Sequence, residues 1–156
     1  MIKSRVFRDE DVPFKRIRKR KESPAQKRQK RQKYLHAVWS VAVRTRDHYT
    51  CQYCGLESKM TQAHHIFSAT NGSTRYDLDN GITLCWRCHF FIAHNDGHND
   101  LYWFIEHEWM GEKRFEALHD KAKHGDHIVK FTDAYLDGVE KYLREEIDKL
   151  SQGVCV

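Results

Sequence analysis

The chain has 156 residues, 40% of them hydrophobic, with 27 Lys or Arg against 22 Asp or Glu, which suits a small core with at most an appendage. No apolar run approaches the roughly 20 residues that cross a bilayer, and the charged amino terminus lacks the greasy stretch of a signal peptide. Five cysteines are an odd count, which argues against a secreted disulfide framework and for metal-bound thiolates in a reducing, cytoplasmic compartment.

The net charge of +5 hides an asymmetry. Residues 1–33 hold 14 Lys or Arg against 4 Asp or Glu, leaving 13 against 18 for the remainder. Up to Ser23 there is little periodic hydrophobicity, so the arm is expected to be flexible in isolation. Its basic clusters supply candidate phosphate contacts: Lys15, Arg16, Arg18, Lys19, Arg20 and Lys21, then Lys27, Arg28, Lys30 and Arg31. Ser23-Pro24 opens a helix that begins basic. Leu35, Val38, Trp39, Ala42 and Val43 recur at three- and four-residue steps, so the helix becomes amphipathic before stopping near Asp47.

Thr50 to Gly55 reads as a metal knuckle, with Gly55 permitting the positive backbone angle of the turn. A strand over Thr61–Phe67, polar turns at Asn71–Thr74 and Asp77–Gly81, and a returning strand Ile82–Leu84 lead back to a second knuckle at Cys85–Cys88. The segment His89–His94 is expected to be a short helix, ended by the breaker Asn95–Gly97. Asn99 can cap a helix holding Leu101, Phe104, Ile105 and Trp109, with Gly111 ending it. Phe115, Leu118 and Ala122 mark a further stripe. Thr132 can cap a last helix through Leu136, Val139, Leu143, Ile147 and Leu150.

Cys51, Cys54, Cys85 and Cys88 form two C-x2-C pairs, the spacing that closes a tetrahedral Zn2+ site, with Cys155 a bystander. The 30 residues between the pairs exceed the gap of about 15 to 20 in a zinc ribbon, and the insertion carries His64, His65 and Asn80. Zinc needs none of these three. Phosphodiester hydrolysis needs a base for water, a divalent cation for charge developing on the phosphoryl oxygens, and groups that position both. His65 is the candidate base. His64 and His89 are candidate ligands of a second cation, Mg2+ or Mn2+, and Asn80 could hold the base. Neighbours on a regular strand face opposite ways, so His64 and His65 share a site only if the strand ends or turns there. His94 sits five residues after His89, where a helix would place a joint ligand at four. His36 and the other histidines fall in no recognisable pattern.

Arg46 to Gly55, His64-His65-Ile66, Asn80 and Cys85-Trp86-Arg87-Cys88-His89 resemble the HNH endonucleases, over about residues 44–94. That resemblance implies a ββα-metal core with His65 as base, Asn80 as the central asparagine, His89 as the last histidine and His64 at the place of a metal ligand. It also implies products ending in 5′-phosphate and 3′-hydroxyl. Arg75-Tyr76 before Asn80, with Tyr102–Ile105 and Met110–Leu118, is similar to phage recombination endonucleases of the NinG (Rap) type, which cut branched DNA such as Holliday junctions. The expected fold is α+β, a small ββα-metal core stapled by a four-cysteine zinc site, preceded by a basic helix and followed by a helical region. Its parts are a DNA-binding arm and helix start at 1–33, a nuclease core at 34–98 and helices at 99–156. The expected partner is branched or duplex DNA, and a homodimer would suit a symmetric junction. Alternatives are a nicking, packaging-associated or homing nuclease, or a zinc-knuckle DNA-binding protein without activity.

Overall fold

The structure is a computed structural model that describes residues 21–94, 98–125 and 129–153. Lys15, Arg16, Arg18, Lys19 and Arg20, the Asn95–Gly97 breaker and Cys155 lie outside the described residues. Helix α1 spans Pro24–Arg46 and starts where the sequence predicts. The Ser23 hydroxyl accepts the Gln26 N–H at 3.2 Å and the Gln26 side chain accepts the Ser23 N–H at 2.8 Å, a reciprocal cap that satisfies two otherwise orphan donors. Only its second half is buried, through Leu35, Trp39, Ala42 and Val43.

Past α1 the chain reverses through His48 and Tyr49, both in the left-handed region at φ 51° and 55°. The turn is pinned by an ionic knot. Arg46 makes two hydrogen bonds to the Asp47 carboxylate and donates to the carbonyls of Leu78 and Gly81, each at 2.7 Å, while Asp47 accepts the Thr83 N–H at 2.9 Å. The end of α1 is thereby fixed to the start of the second strand.

The sheet is an antiparallel pair, β1 (Gln62–His65) and β2 (Gly81–Leu84), with His64 opposite Ile82 and His65 opposite Gly81. β1 is shorter than the predicted Thr61–Phe67. Beyond His65 the Ile66 N–H goes to the Asn80 carbonyl and the Phe67 N–H to the Asn80 side chain, so the ladder gives way to a loop closed by Asn80. Strand alternation gives the hairpin two faces. Ala63, His65, Gly81 and Thr83 face α1. A Cβ at Gly81 would lie 2.5 Å from a Val43 methyl and 2.7 Å from the Trp39 ring, so only glycine lets α1 lie this close.

Each hairpin face has its own core. On one side Leu35, Trp39 and Val43 of α1 pack with Tyr76, Leu78 and, from α4 (Asp133–Ser151), Leu136 and Leu143. Thr132 caps α4, accepting the Tyr135 N–H. Arg31 bridges Asp137 and Glu140 across the α1–α4 seam at 2.7 and 2.6 Å. On the other side Ile82 and Leu84 meet the thiol knuckles and the segment from α2 (His98–Phe104) through α3 (Glu112–His124), which buries Leu101, Ile105, Met110 and Leu118.

Two expectations change here. Asn99 lies inside α2 rather than capping it, and the helix predicted to run to Trp109 turns π-helical over Ile105–Trp109, with the Met110 N–H reaching the Ile105 carbonyl at 2.8 Å. Gly111, at φ 86°, then opens α3 instead of closing the element before it. The class is α+β, with helices before and after a two-stranded sheet and a four-cysteine cluster. Among the described residues no helix is long and apolar enough to cross a membrane.

Candidate active site

Both knuckles turn their sulfurs toward one another because backbone N–H groups close each turn: the Gly55 N–H reaches the Cys51 carbonyl at 2.8 Å with Gly55 at φ 73°, and the Cys88 N–H points at the Cys85 sulfur. The Sγ atoms of Cys51, Cys54, Cys85 and Cys88 lie within 4.8 Å of one another, with Cys54 and Cys85 at 3.8 Å. A tetrahedron with Zn–S bonds of about 2.3 Å has edges of about 3.8 Å, whereas a disulfide needs about 2.05 Å. The donor set fits zinc and not a bridge. Burial pushes the thiols of Cys51 and Cys88 up, and for Cys88 the adjoining sulfurs push further. Four thiolates this close together are stable only where a cation offsets their charge, which is what a metal supplies.

A second cluster lies on the Ile82 face of the hairpin. His64, His89 and His94 each bring a ring nitrogen within 4.8 Å of the others, their ring centroids 4.6 to 5.1 Å apart and steeply inclined. His94 enters because Cys88–Ala93 is a π-helix, not an α-helix. In a π-helix the hydrogen-bond step is five residues rather than four and the turn is wider, so His89 and His94 fall near one side. Burial, then the neighbouring His94, holds His89 below the usual imidazole range and keeps the lone pair of one ring nitrogen free for a metal. Three convergent imidazoles fit a transition-metal ion better than an oxygen-seeking one.

His65 is on the opposite face, the last residue of β1. Its ring stacks on Trp39 at 3.8 Å and 11°, with His36 parallel at 5.4 Å. Its Nε2 lies 2.9 Å from the Arg75 carbonyl. A carbonyl only accepts, so Nε2 carries the proton and Nδ1 is the bare lone pair. Burial is the main cause of a value lowered to about 4, so the ring stays neutral through the physiological range.

Asn80 is fully buried and fully engaged. Its Nδ2 donates to the Phe67 and Thr74 carbonyls, each at 3.0 Å, and its Oδ1 accepts the Phe67 N–H at 2.7 Å. All three of these side-chain bonds go to backbone groups of the loop that Asn80 closes. Its effect passes through the backbone: it fixes Thr74, whose neighbour Arg75 offers the carbonyl that orients His65.

The basic residues divide. Arg31 is committed to α4 and Lys30 to Glu22, whereas Lys21, Lys27 and Arg28 are exposed and pair with no acidic group among the described residues. Sequence reasoning passed over His36, which has no motif but joins the Trp39–His65 stack, and left His94 at the wrong helical spacing; a π-turn is the signal that brings it in. No curated protein and no solved structure matches the chain. The stretch that holds both cysteine pairs, His64, His65, Asn80 and His89, residues 51–90, matches the family model HNH endonuclease.

Proposed function

We propose that this protein is a metal-dependent DNA endonuclease that hydrolyses phosphodiester bonds, with branched or recombination-intermediate DNA as its substrate. The observation that carries the reading is the convergence of His64, His89 and His94 beside a separate four-thiol site. The thiols of Cys51, Cys54, Cys85 and Cys88 hold Zn2+ as scaffold. The imidazoles hold a second divalent ion, Mn2+ or a similar transition metal in preference to Mg2+, which offsets charge developing on the phosphoryl oxygens.

β1 pairs with β2 along one edge only, so among the described residues no strand pairs with its other edge. A phosphate seated along that edge has His64 on one flank and His65, one residue later, on the other. His65 Nδ1 then accepts a proton from the attacking water, while the Nε2–H bond to Arg75 holds the ring in the tautomer that can do so. Asn80 is a positioning residue that keeps the Arg75 loop in place. Lys21, Lys27 and Arg28 add sequence-independent phosphate contacts.

The test compares cutting of a four-way junction, a flap and a plain duplex by wild type and His65→Ala under Mn2+, Mg2+ and no added ion. Cutting that needs the ion and falls by about 10²- to 10⁴-fold in the variant supports the reading. The stacking of His65 on Trp39 favours a second reading, in which His65 is a strut and another imidazole is the base. A variant that melts earlier yet still cuts would select it.

A further inference from the structure

The face around the second knuckle leaves aromatic rings in solvent. Trp86, Phe90 and Phe91 are 59%, 54% and 50% exposed, and none belongs to either core. They form one run, with Trp86 and Phe91 at 6.1 Å between centroids and Phe91 and Phe90 at 5.1 Å. Leu56 is exposed beside them, and a cavity of about 510 Å³ opens next to it, lined by Leu56, Arg87 and Phe91 together with the thiol-site residues Cys54, Cys85 and Cys88. A folded chain rarely leaves such a contiguous patch bare without a partner for it.

Its chemistry and position point to the partner. Arg87 is the only Lys or Arg from Leu84 to His94, and no carboxylate falls in that stretch. Flat apolar rings around one cation suit a ligand made of flat rings joined by phosphates. Phe90 and Phe91 directly follow His89 in the chain, so the patch adjoins a residue of the imidazole cluster. A base can reach them only when it is out of the duplex stack, since paired bases present edges and not faces.

We infer that Trp86, Phe90 and Phe91, with Arg87, form a stacking platform for an unpaired nucleotide next to the scissile phosphate, so that the enzyme selects DNA interrupted by unpaired bases. This rests on the nuclease reading and names what that site takes.

The test uses zinc-loaded protein, a fluorescent duplex and the same duplex interrupted by a bulge of unpaired thymidines, with affinities read by anisotropy without added divalent ion. Wild type should bind the bulged DNA more tightly. The ratio of the two affinities should fall about 5- to 100-fold in Trp86→Ala/Phe90→Ala, the worth of one lost stack, and Trp86→Phe, which keeps a ring, should retain most of it. Thermal melting and zinc content, unchanged in both variants, report that they are folded. A wild type without preference, or a variant that keeps the full ratio, overturns the platform. So does a variant whose sedimentation shifts from dimer to monomer with the ratio intact, because the patch is then a self-association face. Cutting of both DNAs is followed on the same samples after adding Mn2+. Cutting of duplex and bulge alike with no binding preference removes the platform alone, and no cutting of either removes the nuclease reading and the platform with it.

Discussion

At the scale of single residues, His65 shows how a strand end and one loop carbonyl set the chemistry of a ring. Its Nε2–H is committed to Arg75, and its stacking on Trp39 excludes water from one face. Burial lowers it from 6.5 to about 4. As pH falls, the unfolded chain therefore takes the proton first. The stability this ring contributes is complete above about pH 6.5 and is lost between there and about 4, on the order of 3 kcal/mol in all. His65→Gln, which cannot titrate, should flatten that part of the profile when urea unfolding is followed at pH 7.5 and pH 5. Asn80→Ala should cost more at neutral pH, because it strips buried partners from Phe67 and Thr74 at about 1–3 kcal/mol for each unpaired group. Calorimetry would register the lower melting temperature. The importance of Asn80 was legible in its place between the cysteine pairs. Its partners were not, because a buried amide that closes a loop and one that meets a reacting group look alike until the loop is folded.

Among the elements, α1, both knuckles and α4 follow from local rules: Ser23-Pro24 with Gln26, C-x2-C with Gly55, and Thr132 before an apolar stripe. The π-helix at Cys88–Ala93 does not. A hydrogen-bond step of five residues rather than four over a single turn leaves almost no hydrophobic pattern to read, and the two ends of the element lie at the two clusters. Cys88 is held at the thiol site, while His94 has to reach His64. This element is what makes the imidazole site three-membered, so His94→Ala should weaken binding of the second ion by more than about tenfold, the least that loss of an outer partner usually costs, and leave the thiol-bound zinc in place. Titration of Mn2+ into zinc-loaded protein, followed by paramagnetic relaxation, measures it. The same limit explains the helix predicted through Trp109, where a second π-turn intervenes before Gly111.

For the whole molecule, the hairpin is a partition with a different core on each face. The α1–α4 side carries the His36–Trp39–His65 stack, and the knuckle side carries both the thiol and the imidazole clusters. The two sides respond differently to substitution. Arg31→Ala should loosen the α1–α4 seam and lower the melting temperature with little change in the salt dependence of DNA binding, because its guanidinium is engaged by Asp137 and Glu140. Arg28→Ala should lower the salt slope by about 0.9 and leave melting alone. Chelation that empties the thiol site should unfold the knuckle core outright, since a structural metal contributes its binding energy to folding.

The account stands on two ions with separate duties, one held by sulfur as scaffold and one held by imidazole for hydrolysis. The most direct measurement is DNA cleavage by protein carrying one zinc per chain as Mn2+ is titrated in, for wild type and for His64→Ala/His89→Ala with zinc content determined on the same samples. The account predicts no cutting by the zinc-only protein, cutting that rises and saturates with Mn2+ in wild type, and none at any Mn2+ concentration in a variant that retains its zinc. Cutting by zinc-only protein, or Mn2+-driven cutting undiminished in the double variant, would contradict it.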